Sequence, residues 1–317
     1  MHRPASWLAL AILAVAFGRA PAQEPQPLYR IAADEFGPCI EFDFTESLRR
    51  LQSRSPLSAD VPVDPSGGEL RRRCHWVPPL DTFSSGHGTR HFSIVAWHAD
   101  MGMSVAELGG LFDEVYEYVS MRTGISVEGF ILVIVRPAMD MACPFRGRGS
   151  ADTIELFGDS SWSREQWLGV FAHELGHVLQ FRGSPGVGYL GGQFAQGYAS
   201  WAGGRYWTDM QAYSSMHAAV RDYLVRETFL PLSTPAEFAD PGESDGAADC
   251  IARRDIVLTE WASLIEYLVE TYGREDFYAR AVAALQSGRS VVDYVGIFGR
   301  SFEQIEADWL DAVRAQR

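Results

Sequence analysis

Residues 171–181 read FAHELGHVLQF, and this stretch decides the fold. At about 100° per residue, Leu168, Ala172, Leu175 and Leu179 fall on one narrow stripe of a helix, while His173 and His177 lie on the opposite side with Glu174 beside them. The spacing predicts a helix with its core face and its chemistry on separate sides. Four residues apart, the imidazoles sit one turn above each other, with about 5 to 6 Å between their Cβ atoms, so both can reach one zinc ion. Glu174 then projects to the flank of that point, where a carboxylate can take a proton from metal-activated water and hand it to a leaving group.

A catalytic zinc site needs three protein ligands and an open position, so the chain must supply one more donor. The pattern HExxHxxGxxH is not completed, because Gln180 and Gly183 occupy its last two marked positions. Nineteen residues past His177, however, comes Gln196-Gly197-Tyr198-Ala199-Ser200-Trp201. Together with HExxH, this segment resembles the glutamate-ligand zincins (gluzincins), in particular the bacterial peptidase MA-like family, whose second motif is a helix of the form E-G-x-A-x-aromatic. Every position fits except the first, where Gln196 stands in place of the ligand glutamate. The resemblance runs from about His91 to Arg314 and includes YGREDFYARAVAALQSG and SFEQIEADWL near the C-terminus.

That resemblance implies an α+β, zincin-like peptidase domain: a small twisted sheet packed on an active-site helix and a mainly helical C-terminal half, with zinc in the cleft. By the same analogy DTIELFG (152–158) is the edge strand that holds substrate in extended form. The implied metal ligands are His173, His177 and Gln196, with Glu174 as the catalytic base. A neutral amide oxygen attracts a divalent cation less strongly than a carboxylate, so affinity should fall. Asp209 and Glu227 are alternative carboxylate donors, although Gly203 and Gly204 interrupt the helix leading to them. A further alternative leaves Gln196 off the metal, donating a hydrogen bond to Glu174 or to a bound ligand. For the oxyanion of a tetrahedral intermediate, zincins of this kind use a Tyr or His beyond this helix, and Tyr206, Tyr213 and His217 are at hand.

Around these motifs, HFSIVAW and GFILVIVR read as strands, Ser104 opens an amphipathic stretch to about Arg122, and DSSWSREQW announces the histidine helix. Further helices are expected over 193–202, 210–228, 255–272, 274–286 and 302–315, the last capped by Ser301 and Gln304. Residues 23–90 read as a loop-rich appendage without nameable chemistry, and 91–317 as the main domain.

The chain opens with His2 and Arg3, an eleven-residue apolar run from Trp7 to Phe17, and Ala20-Pro21-Ala22, which predicts a signal peptide over 1–22 and a periplasmic or extracellular product. The run is too short to span a bilayer, for which about 20 residues are needed. Export makes two disulfides the default for Cys39, Cys74, Cys143 and Cys250; Cys39 with Cys74 and Cys143 with Cys250 is the favoured of three pairings. Loss of Arg3 and Arg19 with the leader takes the formal charge from -14 to -16, which argues against nucleic acid as a partner. The expected partner is a peptide or protein substrate. Three readings follow from these residues: an exported zinc metallopeptidase, a catalytically impaired binding protein on the same scaffold, or a structural envelope protein in which HExxH is incidental.

Overall fold

The computed structural model describes residues 29–34, 37–42, 74–76, 85–96, 101–127, 129–138, 144–150, 152–183, 192–232, 247–275, 277 and 294–316. The leader, Cys143 and most of the helix expected over 274–286 lie outside them. Within the stretch read as loop-rich, three short strands form an antiparallel sheet in chain order: β1 (Tyr29–Asp34), β2 (Gly37–Phe42) and β3 (Cys74–Trp76). Alternation is too short in these pieces for a sequence pattern to register. Cys250 is disulfide-bonded; the side chains of the other three cysteines are outside the described residues.

The main sheet has five strands in the order β4-β5-β6-β8-β7. β5 (Phe92–Ala96), β6 (Ile131–Arg136) and β8 (Thr153–Phe157) are parallel, and β4 (Ser85–Gly88) and β7 (Gly147–Gly149) pair antiparallel at the two edges. β6 reads ILVIVR and is buried on both faces through Val135, as a central parallel strand must be. β8 is therefore interior, and the edge strand is β7, not DTIELFG. Three residues reading GRG carry no hydrophobic alternation, so this strand has almost no sequence signature.

Helix α1 (Val105–Thr123) crosses from β5 to β6, with a capping box between Ser104 and Glu107 at its start and Gly124, at φ 74°, ending it. Helix α2 (Arg164–Gly183) follows β8, and Ser163 and Gln166 exchange side-chain to backbone bonds at its entry. Phe171, just before the histidines, stacks on Phe112 of α1 at 3.7 Å and meets Phe92 of β5 edge-on at 5.2 Å. The sheet and α1 thus fix one side of α2.

The other side is also covered. Helix α3 (Gly192–Gly203) lies so close that a Cβ on Gly176 would come within 2.9 Å of Ala199, which is why glycine occupies that turn. From Trp167 to Gln180 every residue of α2 is buried. The predicted division into a core face and a separate face survives as two different environments, but both are interior. After α3, Gly204 at φ 51° breaks the chain and α4 (Arg205–Met210) sets off anew. Ser215 then caps α5 (Met216–Val225), so the helix expected over 210–228 is confined to 216–225, with a turn before it. The long α6 (Ala247–Tyr272), the short α7 (Tyr294–Phe298) and α8 (Phe302–Ala315) complete the helical half, α8 with the expected Ser301 and Gln304 capping box. The fold is α+β, with a small sheet and mostly helical content.

Candidate active site

His173 and His177 project from α2 toward α3, and Gln196 of α3 projects back. His173 Nε2 lies 3.2 Å from His177 Nε2 and 3.1 Å from Gln196 Oε1, and His177 Nε2 is 3.4 Å from the same oxygen. The two rings meet nearly at right angles, 86°, with centroids 4.8 Å apart. Ser200, one turn beyond Gln196 on α3 and fully buried, holds His173 Nδ1 at 2.9 Å. Trp207 of α4 lies tilted against the His173 ring at 5.2 Å. Gln196 and Ser200 therefore address the two nitrogens of one imidazole from successive turns, a spacing that matches His173 and His177 on the facing helix.

Burial lowers the proton affinity of both imidazoles. His177 is pushed down to about 4, with the Gln196 hydrogen bond opposing; His173 is held well below its ordinary value by burial first and by His177 next. Both are neutral near pH 7. With a proton on His173 Nδ1 shared with Ser200, its Nε2 presents a lone pair to another ring nitrogen and a carbonyl oxygen. Three ligands at about 2.0 to 2.1 Å in tetrahedral array stand about 3.3 to 3.4 Å apart, close to the observed triangle. His173, Glu174 and His177 are also the His/Cys/Asp/Glu group among the described residues whose ligand atoms gather, all within 4.8 Å. The residues present fit a divalent cation of zinc's size.

Glu174 lies under the edge strand. A Cβ on Gly147 would fall 2.6 Å from its Oε1, and one on Gly149 would fall 2.6 Å from its backbone oxygen and 3.0 Å from His177 Cβ. Only glycine lets β7 pass this close. Phe157 N donates to Arg146 O at 2.9 Å and Ser150 N to Thr153 O at 2.8 Å, so by antiparallel alternation Gly147 and Gly149 turn their backbone groups away from β8. The Gly149 N–H donates to the Glu174 carboxylate. Burial nevertheless wins and pushes Glu174 up to about 8, against this bond and the charges of Arg146 and Arg148.

Arg146, absent from the sequence reading, forms a short ion pair with Asp255 of α6, and its charge acts on both His173 and Glu174. The partners are 109 residues apart, which no local pattern reports. Ser200 was within the quoted motif, and its spacing of four from Gln196 was the available signal.

The remaining candidates go elsewhere. Asp209 and Glu227 are exposed and stand apart from the triangle. Tyr206 packs on Tyr118 and bonds Arg205, Tyr213 donates to Asp222 at 2.7 Å, and His217 bonds Ser263 at 2.6 Å. None of the three joins the site, because each hydroxyl or ring is engaged in packing the helical half. His91 stacks on Tyr116 and bonds Glu117, a structural role.

No family model matches the chain, and no curated protein does. Among solved structures the chain is similar to M1 zinc metallopeptidases. The enzyme from Deinococcus radiodurans aligns at 14% identity with a TM-score of 0.39, over 73% of this chain and 50% of that one. A mutant of that enzyme bound to a Tyr-Ser-Ala substrate aligns at 16% and 0.40, over 69% and 47%. A two-domain M1 mutant bound to L-arginine gives 15% and 0.42, over 69% and 48%. The chain spans about half the length of these enzymes. At such distances the chemistry rests on the residues themselves.

Proposed function

We propose that this chain is an exported, zinc-dependent hydrolase of peptide bonds, with His173, His177 and Gln196 as metal ligands and Glu174 as the catalytic base. The observation that carries this reading is the convergence of two imidazole nitrogens and one amide oxygen, all lone-pair donors, beside a buried carboxylate. A cation at their centre would be a partner that all three atoms can share. Bound there, zinc would supply Lewis acidity, lowering the pKa of water toward about 7 and polarising a peptide carbonyl.

The chain's own residues supply the rest. Glu174 takes a proton from water on a carboxylate oxygen and returns it to the leaving nitrogen. Arg146, steadied by Asp255, brings a positive charge to the same cleft, where it offsets charge developing on the carbonyl oxygen. β7 holds an extended peptide through its outward backbone groups. Ser200 fixes the orientation of His173. Among the described residues no helix is long and apolar enough to cross a membrane, and release after Ala22 is part of the proposal.

One observation favours a second reading, a binding protein with little turnover. Neither Gln196 nor Ser200 carries a charge, so both the third donor and the support of His173 are weaker than carboxylates would be. Zinc stoichiometry of the chain from Gln23 onward decides between them. One zinc per chain, lost in His173→Ala, with peptide hydrolysis that disappears in Glu174→Gln, is expected. A folded chain that takes up no added zinc would overturn the hydrolase reading and leave the binding one.

A further inference from the structure

Gln180 lies on α2 seven residues past His173, which returns it to within about 20° of that histidine around the helix axis. It therefore continues the face of His173 and His177, about 4.5 Å further along the axis than His177. It is 1% exposed, and both its Nε2 and its Oε1 lack a hydrogen-bond partner. A buried amide left open at both atoms is costly, and an apolar residue would serve packing better. The chain retains this cost on the one face where ligands are expected.

We infer that Gln180 is a substrate-positioning residue that receives a backbone amide of the bound peptide; the inference rests on the reading of this cleft as a peptide site. The two open atoms are one donor and one acceptor. A carboxylate or phosphate offers acceptors alone and would leave Oε1 unsatisfied, whereas a peptide unit offers an N–H and a C=O together. The formal charge of -14 further disfavours anions. At about 3.3 Å per residue of extended chain, the offset from His177 corresponds to one or two residues from the scissile bond. The rival occupant is a structural water, which also needs two or more polar partners.

The test uses the full exported chain in a Glu174→Gln background with zinc added, so that peptides persist. The probe is a tryptic digest of casein, and the comparison is between Gln180 and the near-isosteric Gln180→Met. Without digest, Gln180→Met should raise Tm by about 2 to 4 °C, since it removes unsatisfied polar atoms. With digest, the background protein should gain stability by mass action, and Gln180→Met should lose half or more of that gain. Zinc content should be equal in both. A fall in Tm on Gln180→Met, an equal digest-induced gain in the two proteins, or no gain in either overturns the inference. Failure of the hydrolase reading shows separately, as absent zinc or as casein cleavage that survives Glu174→Gln.

Discussion

Two buried histidines in this molecule are built on the same frame and differ at one nitrogen. His217 of α5, 3% exposed, places Nδ1 2.6 Å from Ser263 Oγ, which also accepts from Trp309 Nε1 at 2.9 Å. Its Nε2 faces Glu270 at 3.6 Å. His173 likewise places Nδ1 on a buried serine, Ser200, but its Nε2 faces a second imidazole and an amide oxygen. In the first network the second nitrogen lies near a carboxylate, beyond hydrogen-bond distance. In the second it meets two other atoms that can each offer a lone pair. A histidine on a serine is thus a structural device in both places, and the partner of the other nitrogen decides whether the site asks for a cation.

The hardest strain on this contrast comes from Glu174→Gln. General-base loss typically costs about 10² to 10⁴ in rate, so peptide hydrolysis should fall by that much while zinc content is unchanged. Unchanged turnover would remove Glu174 from the mechanism. A paired experiment then compares the serines. Ser200→Ala should weaken zinc binding by about 10- to 100-fold, as loss of an orienting partner does, measured by competition with a chelator. Ser263→Ala should leave zinc affinity alone and lower Tm by about 2 to 4 °C, since it deprives both His217 and Trp309 of a partner. If the two variants behave alike, the two networks are the same kind of object. Smaller again is Gln196→Glu, which places a carboxylate in the triangle and should raise zinc affinity by about tenfold.

What the sequence could announce was the part of the site written at helical spacing. His173, Glu174 and His177 share one turn and a half, so local periodicity sufficed for them, whereas Gln196 was reached only through the resemblance of its segment to a family motif. Ser104 and Ser301 announced their helices because a capping box lies within four residues. Elements set by tertiary packing were silent. β7 earns its place through the absence of side chains at Gly147 and Gly149, and the pairing of Arg146 with Asp255 joins segments far apart in the chain. The burial of both faces of α2 was silent for a related reason: His173, Glu174 and His177 count as polar in any periodicity, yet α3 and β7 close over them.

The structural half carries a buried acid of its own, and its titration gives the mildest test of the contrast. Glu260 shares α6 with Ser263, accepts from Leu230 N at 2.8 Å, and leaves its second oxygen without a partner. Burial, and to a lesser degree the charge of Glu306, pushes it up to about 9 against the Leu230 hydrogen bond. Folded, it holds its proton more tightly than the unfolded chain does. Between the ordinary carboxylate range and about pH 9 the native state therefore binds more protons, and stability falls as pH rises through that window. Glu260→Gln keeps the acceptor for Leu230 and has no proton to lose. At pH 5 its Tm should match the wild type within about 1 °C, and at pH 8.5 it should exceed it by about 2 to 4 °C. Parallel profiles would mean that Glu260 is ionised in the native state, and that the helical half, too, holds a buried charge awaiting a partner.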